Sequence, residues 1–136
     1  MQDDSADGVL MRILIIDDSR IIQSGIRRAL AKAGHEVTVA GDGNEGLNAA
    51  RHALPDLILL DMMLPGMSGT EVLSALKKDS TTKEIPVIVL TGLSQKNESK
   101  LLKAGAAKYF EKSDRFFDNN FSALLDEVER SLVKHI

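Results

Sequence analysis

Short apolar, largely branched runs recur along this chain, and between them apolar residues fall at spacings of three and four. The runs are 11–16 (MRILII), 36–40 (EVTVA), 57–60 (LILL), 86–91 (PVIVLT) and 107–111 (AKYFE). Each is too short for a helix, and consecutive apolar positions suit a strand buried on both faces. After the first run, Ser19 can cap a helix carrying Ile22, Ile26, Ala29, Leu30 and Ala33, which Gly34 ends. Residues 44–53 make a second helix, closed by Pro55, and Ser68 opens a third with Val72, Leu73 and Leu76 inside. A fourth, over 95–104, has a thin apolar face of Leu101 and Leu102. The last is amphipathic through Phe121, Leu124, Leu125, Val128, Leu132 and Val133.

Strands alternating with helices predict an α/β fold, a parallel sheet with helices on both faces and right-handed crossovers. With five strands and five helices the doubly wound order 2-1-3-4-5 is expected. In such a sheet ligands sit beyond the carboxyl ends of the strands, where strands 1 and 3 meet.

The polar residues at those ends form a pattern. Strand 1 runs into Asp17-Asp18, strand 3 into Asp61, strand 4 into Thr91 and Gly92, and strand 5 into Lys112. Three carboxylates in one crevice repel, so they take up protons or share a cation. Oxygen donors with no cysteine and no nearby histidine point to a hard ion, and Mg²⁺ suits them. A carboxylate can attack phosphorus to give an acyl phosphate, whose oxygens then need a metal on one side and an ammonium on another. Asp61 is best placed as that nucleophile, with Asp17 and Asp18 holding the metal and Lys112 beside the phosphoryl group.

The stretches ILIIDDS (13–19), LILLDMMLPGMSG (57–69), PVIVLTG (86–92) and AAKYFEK (106–112) together resemble the receiver domain of response regulators in two-component (phosphorelay) systems. The resemblance runs from about residue 11 to 136 and implies a flavodoxin-like sheet. It implies Asp61 as phosphoacceptor, with Mg²⁺ on Asp18, Asp61 and the Met63 carbonyl and Asp17 helping through water. It also implies Thr91 as switch hydroxyl, Tyr109 as the aromatic that moves with it, and Lys112 at the phosphoryl group. A histidine kinase or histidine phosphotransfer protein would be the donor, and an unnamed protein or domain the target. Such a chain is a switch rather than an enzyme, although it assists its own phosphoryl transfer and hydrolysis. One departure stands out: Ser113 follows Lys112 where the family usually has proline, and DRFFDNN (114–120) delays the last helix. Phe116 and Phe117 are expected to cover the sheet end or an interaction face.

Composition narrows the alternatives. A chain of 136 residues, 43% hydrophobic and 27% charged, is long enough for one domain with a substantial core. We expect 1–10 to be a flexible tail and 11–136 the domain. A net charge of -3 gives no footprint for direct nucleic-acid or membrane binding. The acidic start and the lack of a long apolar run favour a cytoplasmic protein. The segment 41–46 (GDGNEG) fits a dinucleotide-binding pattern, but Asp42 and Glu45 would meet a pyrophosphate with like charge. A phosphohydrolase would place nucleophile and acid two apart on one loop, and Asp17-Asp18-Ser19 does not. A receiver-like binding module without phosphorylation would have no use for the acidic site. His35, His52 and His135 match no ligand spacing, and His35 reads as a turn residue after Gly34.

Overall fold

The computed structural model describes residues 10–92, 98–112 and 116–135, the side chains of 98 and 132–135 excepted. In chain order the elements are β1 (Arg12–Ile16), α1 (Arg20–Lys32), β2 (Glu36–Ala40), α2 (Gly43–Ala53), β3 (Leu57–Asp61), α3 (Gly69–Lys78), β4 (Val87–Thr91), α4 (Glu98–Lys103), β5 (Lys108–Glu111) and α5 (Ser122–His135). All four strand pairs are parallel, and the order is β2-β1-β3-β4-β5, as the alternation predicts.

Successive strand residues point to opposite faces, so one sheet serves two cores. Ile13, Ile15, Leu57, Leu59, Ile88 and Leu90 pack with Ile26 and Leu30 of α1 and Leu124 and Val128 of α5. Leu14, Ile16, Ile58, Leu60, Val87 and Val89 face the other way, onto Leu47, Ala50, Val72, Leu73 and Leu76 of α2 and α3 and Leu101 of α4. Full burial of one such side chain stabilises the fold by about 1.5–3 kcal/mol. The central β3 and β4 are buried at every position, which is why their sequences do not alternate. At the edge, β2 does alternate, which is why its sequence mixes Val with Glu and Thr.

Side-chain caps start the first three helices close to the strand ends. The Ser19 hydroxyl accepts the Ile22 N–H at 3.3 Å, and an Asp42 carboxylate oxygen accepts the Glu45 N–H at 2.8 Å. Ser68 and Glu71 form a reciprocal capping box at 3.2 and 3.0 Å. Each cap satisfies an orphan amide and keeps the strand-to-helix loop short.

Some expectations shift. Only Leu101 of the α4 pair enters the core, since Leu102 is 43% exposed. His35, read as a turn residue after Gly34, follows that turn and is buried at 5% exposure. Phe116 is buried, Phe117 is 54% exposed, and Phe121 is buried just before α5. Asn119, Asn120 and Phe121 all have left-handed φ, at 52°, 55° and 62°. A non-glycine residue there costs about 1–3 kcal/mol, so packing of the Phe121 ring has strain to offset. The tail up to residue 9, helix positions 95–97, the Lys112–Ser113 junction with 114–115, and the inner-face Leu132 and Val133 side chains lie outside the described residues. Among the described residues no helix is long and apolar enough to cross a membrane.

Candidate functional site

β1 and β3 lie side by side with Ile16 opposite Leu60, so the next residue on each strand is a carboxylate, Asp17 and Asp61. Neighbouring strands run about 4.8 Å apart, which brings the two acids together without any long loop. Asp17 is fully buried, Asp61 is 4% exposed, and Asp18 is exposed at the rim. One oxygen from each of the three lies within 4.8 Å of the others.

Lys112 arrives from the far side of the sheet. Thr91 pairs with Glu111 across β4 and β5, and the Lys112 N–H then donates to the Thr91 carbonyl at 2.7 Å. That anchor sends the ammonium into the pocket, where Nζ is 3.1 Å from Asp17 Oδ2 and 3.3 Å from Asp61 Oδ1. The other Asp17 oxygen, Oδ1, accepts the Ser19 N–H at 2.9 Å, and Asp61 Oδ1 accepts the Met63 N–H at 3.2 Å.

Burial pushes the Asp61 carboxyl above the usual carboxylate range, and the negative charge of Asp17 adds to the effect. The Met63 amide and the Lys112 ammonium work against that rise. The pocket thus holds three acidic groups against one cation, with Asp18 open to solvent beside them. A hard divalent ion fits this donor set of carboxylate oxygens.

The loop after β3 folds tightly beneath Asp61. The Gly69 N–H donates to the Met62 carbonyl at 3.2 Å. A side chain at Gly69 would put its Cβ 2.5 Å from Met62 Cα, so only glycine permits this approach. Met63, at the turn, keeps its side chain 67% exposed.

Of the residues singled out in the sequence, Asp17, Asp18, Asp61 and Lys112 meet in one pocket. Thr91 is fully buried at the end of β4, one position beyond Leu90, which pairs with Asp61. Tyr109 lies on β5 opposite Val89 and packs, half-buried, on the α2–α3–α4 face. Two supports escaped the sequence reading. Ser19, read only as a helix cap, also donates its amide to Asp17. Gln23 donates its side-chain amide to the Asp17 carbonyl. Spacing gives no hint of Gln23, because it is one polar residue among several on α1.

Within the 41–46 segment two amides are held by the segment's own carboxylates. The Glu45 amide is held by Asp42, and the Gly41 amide donates to Glu45 Oε1 at 2.5 Å. A phosphate would have to compete with Asp42 and Glu45 for these two donors, against their like charge.

The family model described as the response regulator receiver domain matches residues 13–118. Protein PilH of Pseudomonas aeruginosa is 38% identical over 89 residues, covering 65% of this chain and 74% of its own length. The DNA-binding response regulator MtrA of Mycobacterium tuberculosis is 37% identical over 107 residues, covering 78% of this chain but 46% of its own length. The match thus takes in less than half of MtrA. Among solved structures, a CheY-like response regulator receiver domain protein from Methanospirillum hungatei superposes with a TM-score of 0.79 at 33% identity, covering 90% of this chain and 94% of that one. Chemotaxis protein CheY4 of Vibrio cholerae gives 0.78 at 31% identity, covering 88% and 97%. The chain belongs to the response regulator receiver domain family, the receiver modules of two-component signalling.

Proposed function

We propose that residues 11–136 form a phosphorylatable switch whose acceptor is Asp61. The observation that carries this reading is the lysine-bridged pair, Lys112 between Asp17 and Asp61, with three carboxylates converging around it. An Asp61 carboxylate oxygen attacks the phosphorus of a phosphohistidine on a kinase or phosphotransfer protein. The new P–O bond forms as the P–N bond breaks, and the electron pair leaves on the imidazole nitrogen, which takes up a proton. Lys112 offers its ammonium to the phosphoryl oxygens. Asp18, Asp61 and the Met63 carbonyl would hold Mg²⁺, with Asp17 assisting through water. When bound, the metal supplies charge that lets the carboxylate and the phosphoryl oxygens approach.

Thr91 supplies a hydroxyl that can turn toward the phosphoryl group, and Tyr109 follows it to change the face shown to an output protein or domain. The shift is limited by how differently the phosphoryl group contacts the two conformations. The acyl phosphate ends when water attacks phosphorus and the carboxylate leaves, so the chain resets without being a turnover enzyme. Its net charge of -3 supports a receiver that does not itself contact nucleic acid, and its chemistry suits a cytoplasmic, Mg²⁺-rich setting.

The full chain, incubated with phosphoramidate and Mg²⁺, should gain the mass of one phosphoryl group. Asp61→Asn should gain none, and chelating the metal should suppress labelling in the wild type. Undiminished labelling of Asp61→Asn, or sustained turnover of a phosphomonoester, would overturn the assignment.

A further inference from the structure

The chain contains no cysteine and no tryptophan, so its methionine thioethers are the side chains most open to oxidation. Three of them follow β3 closely, at Met62, Met63 and Met67. Met62 and Met67 are half-buried and pack on the α2–α3 core. Their sulfurs sit against backbone: a Cβ on Gly69 would come 2.9 Å from Met62 Sδ, and one on Gly43 would come 3.1 Å from Met67 Sδ. Met11 lies in the α1–α5 core at 2% exposure. Among the described methionines Met63 is the exception, 67% exposed on a loop whose Pro65 and Gly66 are also open to solvent.

Met63 is also tied to the acidic pocket. Its N–H donates to Asp61 Oδ1 at 3.2 Å, and that oxygen lies 3.3 Å from Lys112 Nζ. A thioether at this rim is apolar and uncharged. A sulfoxide is strongly polar, and its oxygen carries partial negative charge. Such an oxygen adds negative potential to a pocket where three carboxylates face one ammonium. An incoming phosphoryl group is negative too, so its approach is penalised. The fold is not, because Met63 belongs to neither core.

We propose that Met63 is a redox modification site, oxidised to its sulfoxide by a hypohalous acid, and that the sulfoxide slows phosphoryl transfer to Asp61. Sulfur gains the oxygen and gives up two electrons. The halogen takes them and leaves as halide, and the proton of the hypohalous acid is released. A methionine sulfoxide reductase with a thiol donor reverses the step, the oxygen leaving as water and two thiols joining as a disulfide. The effect on rate rests on Asp61 as acceptor, whereas the selectivity for Met63 rests on exposure alone.

The test treats the full chain with graded hypochlorous acid, quenches with free methionine and maps the oxygen by fragment mass spectrometry. Met63 should take up oxygen about tenfold faster than Met11, Met62 or Met67. Labelling by phosphoramidate and Mg²⁺ should then slow about fivefold, with the unfolding midpoint unchanged, and should recover after treatment with the reductase. Met63→Leu, compared with its own untreated rate, should lose the sensitivity to oxidant, and Met67→Leu should keep it. Earlier oxidation of Met62 or Met67, an unchanged labelling rate once Met63 carries oxygen, or equal sensitivity in Met63→Leu would sink the inference. An untreated chain that takes no label would instead remove Asp61 as acceptor, and the order of oxygen uptake would still decide whether Met63 is the oxidised site.

Discussion

The two ends of the sheet treat charge in opposite ways. At the carboxyl end, Asp17 and Asp61 are buried side by side and share one ammonium, which is itself only 17% exposed. At the amino end, Arg12 and Glu36 meet at 3.2 Å with more than half of each side chain in water. Asp56 there accepts the Arg12 amide at 2.8 Å, again at the surface. The buried titratable group at this end is His35, whose imidazole burial drives toward the neutral form. One end therefore keeps charge where desolvation opposes it, and the other leaves charge in solvent or removes it. A fold gains nothing from crowded buried carboxylates, so their presence marks the end that works.

Lys112→Ala should give the largest effect on this contrast. It leaves two buried carboxylates with no cation, and we expect about 2 kcal/mol of lost stability in chemical denaturation without metal. Millimolar Mg²⁺ should restore part of that loss. An unchanged denaturation midpoint would mean that the acids find other compensation.

Asp61→Asn should act in the opposite direction. The raised Asp61 pKa means that its charged form is penalised on folding, so the penalty is full above the folded pKa and fades as pH falls through it. Removing the charge should stabilise the metal-free protein by about 1 kcal/mol at neutral pH. The same variant should lose the stabilisation that Mg²⁺ gives the wild type.

His35 tests the other end through pH. Its folded pKa lies below the unfolded value of about 6.5, because burial outweighs the nearby Glu129 carboxylate. The unfolded chain therefore takes the proton first. Stability from this group is complete above about pH 6.5, falls as pH drops below that, and levels off beneath the folded pKa. His35→Leu should flatten the stability profile in that window, and a slope unchanged by the substitution would remove His35 from the account.

Glu36→Gln should matter least. It breaks an exposed pair with Arg12, and thermal unfolding should register a change of no more than about 0.5 kcal/mol. A cost equal to that of Lys112→Ala would erase the difference between the two ends.

Much of this was legible in the residues because it is local or periodic. Unbroken apolar runs such as LILL declare a strand covered on both faces, and Ser68 with Glu71 announces a helix start. Asp17, Asp18 and Asp61 could be gathered before any coordinates, because a doubly wound sheet places its strand ends together. The fourth helix was hardest to read: its short apolar face did not say which of Leu101 and Leu102 turns inward.

The sequence by itself determined the strands, the alternation with helices and the acids at the strand ends, because period and composition act over a few residues. Only the tertiary structure decided that one ammonium spans Asp17 and Asp61, that Gln23 braces the Asp17 backbone, that His35 is buried, and that Phe117 stays half-exposed. Those outcomes depend on distances between residues far apart in the chain, and such distances exist only once both cores have closed on the sheet.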